Sequence, residues 1–299
     1  MPRPRIHVTA SVPAEVEEAL QRDFETSDSP EGVDGIVAML TTRVDGAYLD
    51  RAGPRLRVVA NYAVGVNNVD LAAAADRNVV VANTPDVLTR ATAELAVGLM
   101  LALLRRIAEG DRFVRRREEW LFSLEFMLGS SLDGKRLLVV GPGRIGRETA
   151  RLADALGARP TFAGRDDDLP ALLAAADIVS LHVPLTPATR HLVDADALRA
   201  MPRSAVLVNT ARGPIVDERA LVDALRAGEI AGAALDVFER EPEVEEGLLA
   251  LENVVLTPHL GSATRDTRVA MGMLCVDALR AVLLEGRRPA NAVGLRPAP

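Results

Sequence analysis

A chain of 299 residues that is 48% hydrophobic and 26% charged has enough apolar material for two ordinary cores and reads as globular. Its 35 basic and 42 acidic residues leave a net charge of −7, which argues against a nucleic-acid partner drawn by phosphate attraction. The start, MPRPRIHVTA, holds no apolar signal core, and the most apolar stretch, 95–104, is too short to span a bilayer, so no membrane role is expected. The single cysteine, Cys275, excludes an intrachain disulfide and fits a reducing, cytoplasmic compartment. Set in an apolar helical run, it reads as a buried small hydrophobe.

From 6 to 83, strands expected at 6–9, 35–39, 56–61 and 79–82 alternate with helices such as 13–22 and 69–76. This is a small α/β domain with a mostly parallel sheet. Residues 91–107 follow as one long apolar helix, either in a core or linking domains. The polar stretch 109–120 reads as a solvated helix, in which Arg112, Arg115, Arg116 and Arg117 alternate with acids rather than forming a basic patch. A second α/β unit then runs through strands at 137–140, 161–163, 178–183, 205–209, 233–237 and 254–257, with helices such as 169–176 and 218–227 between them. Strands joined by crossover helices fit a doubly wound sheet. The last helix, 264–285, is expected to return to the first domain.

The most specific local signal is LLVV-GPGRIG. Gly141, Gly143 and Gly146 give G-x-G-x-x-G between a buried strand and a helix at 147–156 that stops at Gly157. Lack of a side chain permits the turn at Gly141, backbone approach to a pyrophosphate at Gly143 and helix–strand packing at Gly146. Arg144 and Ile145 lie in the same cradle, where helix N–H groups and the dipole favour an anion. The bland alternative is a glycine turn without a ligand. In a doubly wound sheet ligands gather at the carboxyl ends of the strands. Those ends read Gly141, Gly164-Arg165, His182-Val183-Pro184, Asn209-Thr210-Ala211-Arg212, Asp236 and Pro258-His259. Charged groups leaving buried strands at one rim are costly unless they are used or paired.

NTARGPIVDE (209–218), LDVFEREP (235–242), TPHLGSA (257–263), NYAVGVNNVD (61–70) and NTPDVLTRATAELAVGLML (83–101) resemble the D-isomer-specific 2-hydroxyacid dehydrogenases, in the right order and over nearly the whole chain. Within that family the likeness is greatest to glyoxylate/hydroxypyruvate reductases. The resemblance implies an α/β fold of two doubly wound parallel-sheet domains, one a Rossmann dinucleotide-binding domain (93–265) and one a smaller, flavodoxin-like substrate domain (1–92 with 266–299). It implies Arg212, Glu241 and His259 as the catalytic residues. A guanidinium fork suits the carboxylate and carbonyl of a 2-oxo acid. A histidine suits delivery of a proton to the carbonyl oxygen, and a carboxylate beside it favours the imidazolium.

The same resemblance makes His182, Val183 and Pro184 a cofactor wall and puts Thr210, Ala211, Asp236, Gly261 and Ser262 around the nicotinamide end. The alternative for Asp236 is a strand-end cap. His7 and His191 read as surface or strand-end residues. Val64 and Gly65 resemble a loop whose backbone N–H groups take the substrate carboxylate alongside Arg212 and His259. Relatives that oxidise phosphonate carry a lysine where this chain has Val64. No metal site is expected.

The second-strand acid that binds ribose hydroxyls falls at Gly164, which is not acidic, and Arg165 follows. That arrangement suits a 2′-phosphate and favours NADP(H), with NAD(H) the alternative. Asp166, Asp167 and Asp168 either repel such a phosphate or cap the helix near Leu169. The expected activity is reduction of glyoxylate, hydroxypyruvate or another small 2-oxo acid to the D-2-hydroxy acid in a cleft between domains. The other readings are a D-3-phosphoglycerate or other D-2-hydroxyacid dehydrogenase, the former disfavoured because no regulatory domain follows Pro299, and a dinucleotide-sensing corepressor. A homodimer is expected, with helix 91–104 and the Trp120 segment as candidate interface.

Overall fold

Short apolar runs bounded by turn residues become the strands of two separate sheets. The computed structural model describes residues 3–294. It divides into one unit built from 1–88 with 263–299 and another from 89–262. The expected limits at residues 1 and 299 lie outside the described residues.

The first unit runs β1 (Arg5–Val8), α1 (Ala14–Asp23), β2 (Glu25–Ser27), β3 (Gly35–Ala38), α2 (Gly46–Ala52), β4 (Val58–Asn61), α3 (Leu71–Asp76) and β5 (Val80–Ala82). β3 and β4 are wholly buried, as parallel strands covered on both faces must be. Asp45 and Asp70 cap α2 and α3 by accepting the N–H groups of Tyr48 and Ala73.

The second unit opens with α4 (Thr89–Leu104) and α5 (Ile107–Arg115). It continues through β6 (Arg136–Val140), α6 (Arg144–Asp154), β7 (Arg159–Ala163), α7 (Leu169–Ala174), β8 (Ile178–Leu181) and α8 (Ala195–Ala200). It closes with β9 (Val206–Asn209), α9 (Glu218–Arg226), β10 (Gly232–Leu235), α10 (Glu246–Leu249) and β11 (Val254–Leu256). The chain then returns to the first unit with α11 (Arg265–Leu283) and β12 (Ala292–Val293). Gly35 lets α11 lie close on β3, since a Cβ there would stand 2.8 Å from Leu279.

The first sheet has the order β12-β5-β4-β3-β1-β2, with only β12 antiparallel. The second has the order β11-β10-β9-β8-β6-β7 and is parallel throughout. In both sheets the order reverses beside the unit's first strand, which makes a crevice at the carboxyl ends there. In β6, Leu138 and Val140 enter one core and Leu137 and Val139 the other, the two-sided burial of a doubly wound sheet.

The helix expected over 91–107 is in fact two. Arg106 adopts φ +54 and breaks it after Leu104. α5 ends at Arg115, short of the expected 120, and 118–123 has no regular structure. Pairing explains the polar face: Arg112 and Arg116 both reach Glu252, and Arg115 reaches Asp111. α6 starts at Arg144 rather than 147 because Gly143 is its N-cap. Among the described residues no helix is long and apolar enough to cross a membrane.

Candidate active site

The glycine turn after β6 has the geometry its residues require. Gly141 sits at φ +101, and a Cβ there would come within 2.8 Å of the His182 carbonyl. A Cβ on Gly146 would overlap the Gly141 oxygen and stand 3.0 Å from Val139. A Cβ on Gly143 would meet nothing within 4 Å, and no side chain caps the helix that starts there. Open space in front of uncapped N–H groups, with Arg144 and Ile145 in the first turn, is a cradle for a pyrophosphate. At the end of β9 the buried hydroxyl of Thr210 has no hydrogen-bond partner among the described residues. These residues fit a dinucleotide.

At the end of β7 the acids serve the turn. Asp167 accepts the Gly164 N–H at 2.7 Å, and Asp168 caps α7 by accepting the Ala171 N–H at 3.2 Å. Arg165 is exposed beside them. His182 receives a different treatment. Its N–H bonds to the Val140 carbonyl at 2.8 Å, and its Nε2 lies 2.9 Å from Ser180 Oγ. Burial pushes its pKa down to about 4, so the ring is neutral near pH 7 and forms a wall.

Three loops at the same rim hold Arg212, Glu241 and His259. After β9, Asn209 uses both ends of its amide: Oδ1 accepts the Ala211 N–H at 3.0 Å, and Nδ2 donates to the Arg212 carbonyl at 2.9 Å. Gly213 follows, where a Cβ would overlap the Phe238 carbonyl, so the Arg212 loop lies flat on the Glu241 loop. Burial lowers the Arg212 pKa while the Glu241 charge opposes the shift. Glu241 accepts the Phe238 N–H at 3.1 Å through Oε1 and faces His259 Nδ1 at 2.8 Å through Oε2. Burial alone would raise the Glu241 pKa. The His259 hydrogen bond and charge, the Phe238 N–H and Arg212 together hold it below the ordinary glutamate value.

A carboxylate only accepts, so Nδ1 carries a proton and Nε2 is the nitrogen left for another partner. The His259 backbone is itself in the left-handed region at φ +54. Its N–H donates to the Asp236 carbonyl at 2.8 Å.

Asp236, fully buried at the end of β10, builds that loop. Its carboxylate accepts Thr257 Oγ1 at 2.6 Å, the Leu260 N–H at 2.7 Å and the Gly261 N–H at 2.8 Å. The strand-end cap is therefore real, and Gly261 and Ser262 hang from it. Burial raises the Asp236 pKa against the pull of those bonds. Asp236→Ala orphans the buried Gly261 N–H and the part-buried Leu260 N–H and lowers folding stability by about 2 kcal/mol, seen as a lower urea midpoint.

Sequence reading missed the supports. His191 is not a bland surface residue: its Nε2 lies 2.7 Å from Glu239, whose N–H donates to the nearly buried Glu218 at 2.7 Å. Asn209 and Gly213 flank Arg212 in N-T-A-R-G, and that adjacency was the available signal. Val64 and Gly65 belong to the other unit, in the loop after β4, with Val64 exposed. Among the described residues no group of three or more His, Cys, Asp or Glu is placed to hold a metal ion.

A doubly wound sheet with this glycine turn, and an Arg, a Glu and a His at its carboxyl rim, defines a nicotinamide-dinucleotide oxidoreductase. The family described as D-isomer specific 2-hydroxyacid dehydrogenase, NAD binding domain, matches residues 97–261. The chain is 42% identical to a glyoxylate reductase of Aeropyrum pernix over 98% of its own length and 96% of that protein. It is 42% identical to a glyoxylate reductase of Thermococcus kodakarensis over 91% of each. An NADPH-dependent glyoxylate/hydroxypyruvate reductase of Sinorhizobium meliloti, solved with NADP and malonate, superposes with a TM-score of 0.86 at 38% identity, covering 99% of this chain and 98% of that one. The chain belongs to the D-isomer-specific 2-hydroxyacid dehydrogenase family.

Proposed function

We propose that this enzyme reduces glyoxylate or hydroxypyruvate with NADPH, giving the 2-hydroxy acid, D where chiral. The observation that carries the reading is the 2.8 Å contact of His259 Nδ1 with Glu241, on a loop pinned against that of Arg212. Arg212 grips the substrate carboxylate and carbonyl with its fork. His259 holds the proton for the carbonyl oxygen on Nε2, and Glu241 holds the ring and its charge. On the first unit, the backbone N–H groups of the Val64–Gly65 loop are the candidate seat for a carboxylate. The dinucleotide, when bound, supplies the hydride. Gly141, Gly143, Arg144, Ile145 and Gly146 would hold its pyrophosphate, Gly164 and Arg165 a 2′-phosphate, and His182, Val183, Pro184, Thr210, Ala211, Asp236, Gly261 and Ser262 its nicotinamide end. The relatives' names support the substrate class.

Initial rates with glyoxylate and hydroxypyruvate, each with NADPH and NADH, test the reading. Turnover of neither acid, despite dinucleotide binding, sinks it and favours a dinucleotide sensor. Asp167 and Asp168 are occupied by their own turn, which supports NADPH over NADH. Arg165→Ala then lowers kcat/KM for NADPH about tenfold and leaves NADH within a factor of two. An equal loss with both would show that Arg165 does not read the 2′-phosphate.

The protein acts in the cytoplasm as a homodimer in this reading. In α4, Val97, Leu99, Met100 and Leu104 are buried in its own unit's core, which leaves its other face for such a contact. Trp120, Leu121, Phe122 and Leu124 are exposed, which supports the Trp120 segment as apolar surface for a second copy.

A further inference from the structure

We propose that Asn61 and Asn83 are positioning residues for the substrate carboxylate: their amides hold the carbonyls of Gly65 and Val64 and so set which way the N–H groups of Val66 and Gly65 point. This rests on the reading of the Val64–Gly65 loop as the carboxylate site. Asn61, fully buried at the end of β4, donates from Nδ2 to the Gly65 carbonyl at 2.8 Å. Asn83, just past β5, donates from Nδ2 to the Val64 carbonyl at 2.8 Å.

In a trans peptide the carbonyl of one residue is antiparallel to the N–H of the next. Holding the Val64 oxygen therefore turns the Gly65 N–H away from Asn83. Holding the Gly65 oxygen against a buried side chain turns the Val66 N–H outward. Neither N–H has an acceptor among the described residues. Two consecutive unpaired donors, fixed by neutral anchors, form an anion seat that needs no lysine or arginine of its own.

Both anchors are themselves held. Asn61 Oδ1 accepts from Asn68 Nδ2 at 2.9 Å, which fixes which end of the Asn61 amide faces Gly65. Asn68 Nδ2 also lies 3.1 Å from the Thr42 carbonyl and 3.2 Å from that of Met39. Asn83 is gripped through its backbone: its N–H donates to the Asn291 carbonyl at 3.1 Å, and Asn291 Nδ2 donates to its carbonyl at 2.5 Å. A side chain held this way keeps its reach to Val64 without spending its own amide on the hold.

The test is calorimetric titration of oxalate into the full-length protein with NADPH present. Wild type binds oxalate; Asn83→Ala binds it about tenfold more weakly, and Asn83→Ser, which keeps a short donor, falls between. NADPH affinity and the urea midpoint stay close to wild type in all three, which unfolding of the first unit would not allow. Oxalate affinity unchanged in Asn83→Ala, or absent in wild type, overturns the proposal. Glyoxylate kinetics separate it from the reductase reading. A wild type that reduces no 2-oxo acid while Asn83→Ala still loses oxalate leaves the anchor standing and the reductase fallen. A wild type that reduces glyoxylate with the same KM as Asn83→Ala does the reverse.

Discussion

His259→Ala lowers kcat for glyoxylate reduction by about a hundred- to ten-thousandfold, the range for losing a positioned general acid. NADPH affinity is retained, because the loop that carries His259 is built by Asp236 through backbone bonds the substitution leaves in place. Glu241→Gln tests the second half of the argument. An amide faces Nδ1 without the carboxylate that fixes the ring, so kcat falls, though less than in His259→Ala. Stopped-flow rates with glyoxylate read both. A His259→Ala enzyme within tenfold of wild type would move the proton donor to another group.

Arg212→Lys carries the second large effect. It keeps the positive charge and loses the planar fork, so a two-point grip on carboxylate and carbonyl becomes a one-point contact. kcat/KM for glyoxylate falls about a hundred- to a thousandfold, comparable to removing one preorganised donor at a developing oxyanion. The surrounding loop survives, since Asn209 holds the peptide at Arg212 and Gly213 keeps it against Phe238. A lysine enzyme within tenfold of wild type would mean that charge alone suffices.

The strands were legible because buried parallel strands are largely apolar, and β3, β4, β8, β9 and β10 are buried at every residue with at most one polar side chain each. β2 and β12 were not, because an edge strand of two or three residues has no pattern to read. The split between α4 and α5 was hidden for a different reason. Arg106 is an ordinary helix former that nothing in sequence marks for φ +54; at the break the Ser130 N–H takes the Leu104 carbonyl from 26 residues away at 2.8 Å. In the candidate site, ionisable residues at strand ends announced themselves. Their supports did not: Asn209, Asn61 and Asn83 are neutral, and what they do depends on carbonyls whose direction no motif reports. The acids after Gly164 were ambiguous until Asp167 and Asp168 were seen folded back onto their own turn.

The first unit is made from both ends of the chain, with α11 and β12 completing a sheet begun by β1. During synthesis β1 to β5 leave the ribosome first, yet the face that α11 covers and the edge that β12 pairs stay open until the intervening unit has been made. That unit has no such debt, being one continuous segment, and it can finish while the rest waits. Asn83 meets Asn291 only at the end. β5 is thus held in place only after β12 has been made, and the seat that Asn83 helps set for an anion waits on Asn291.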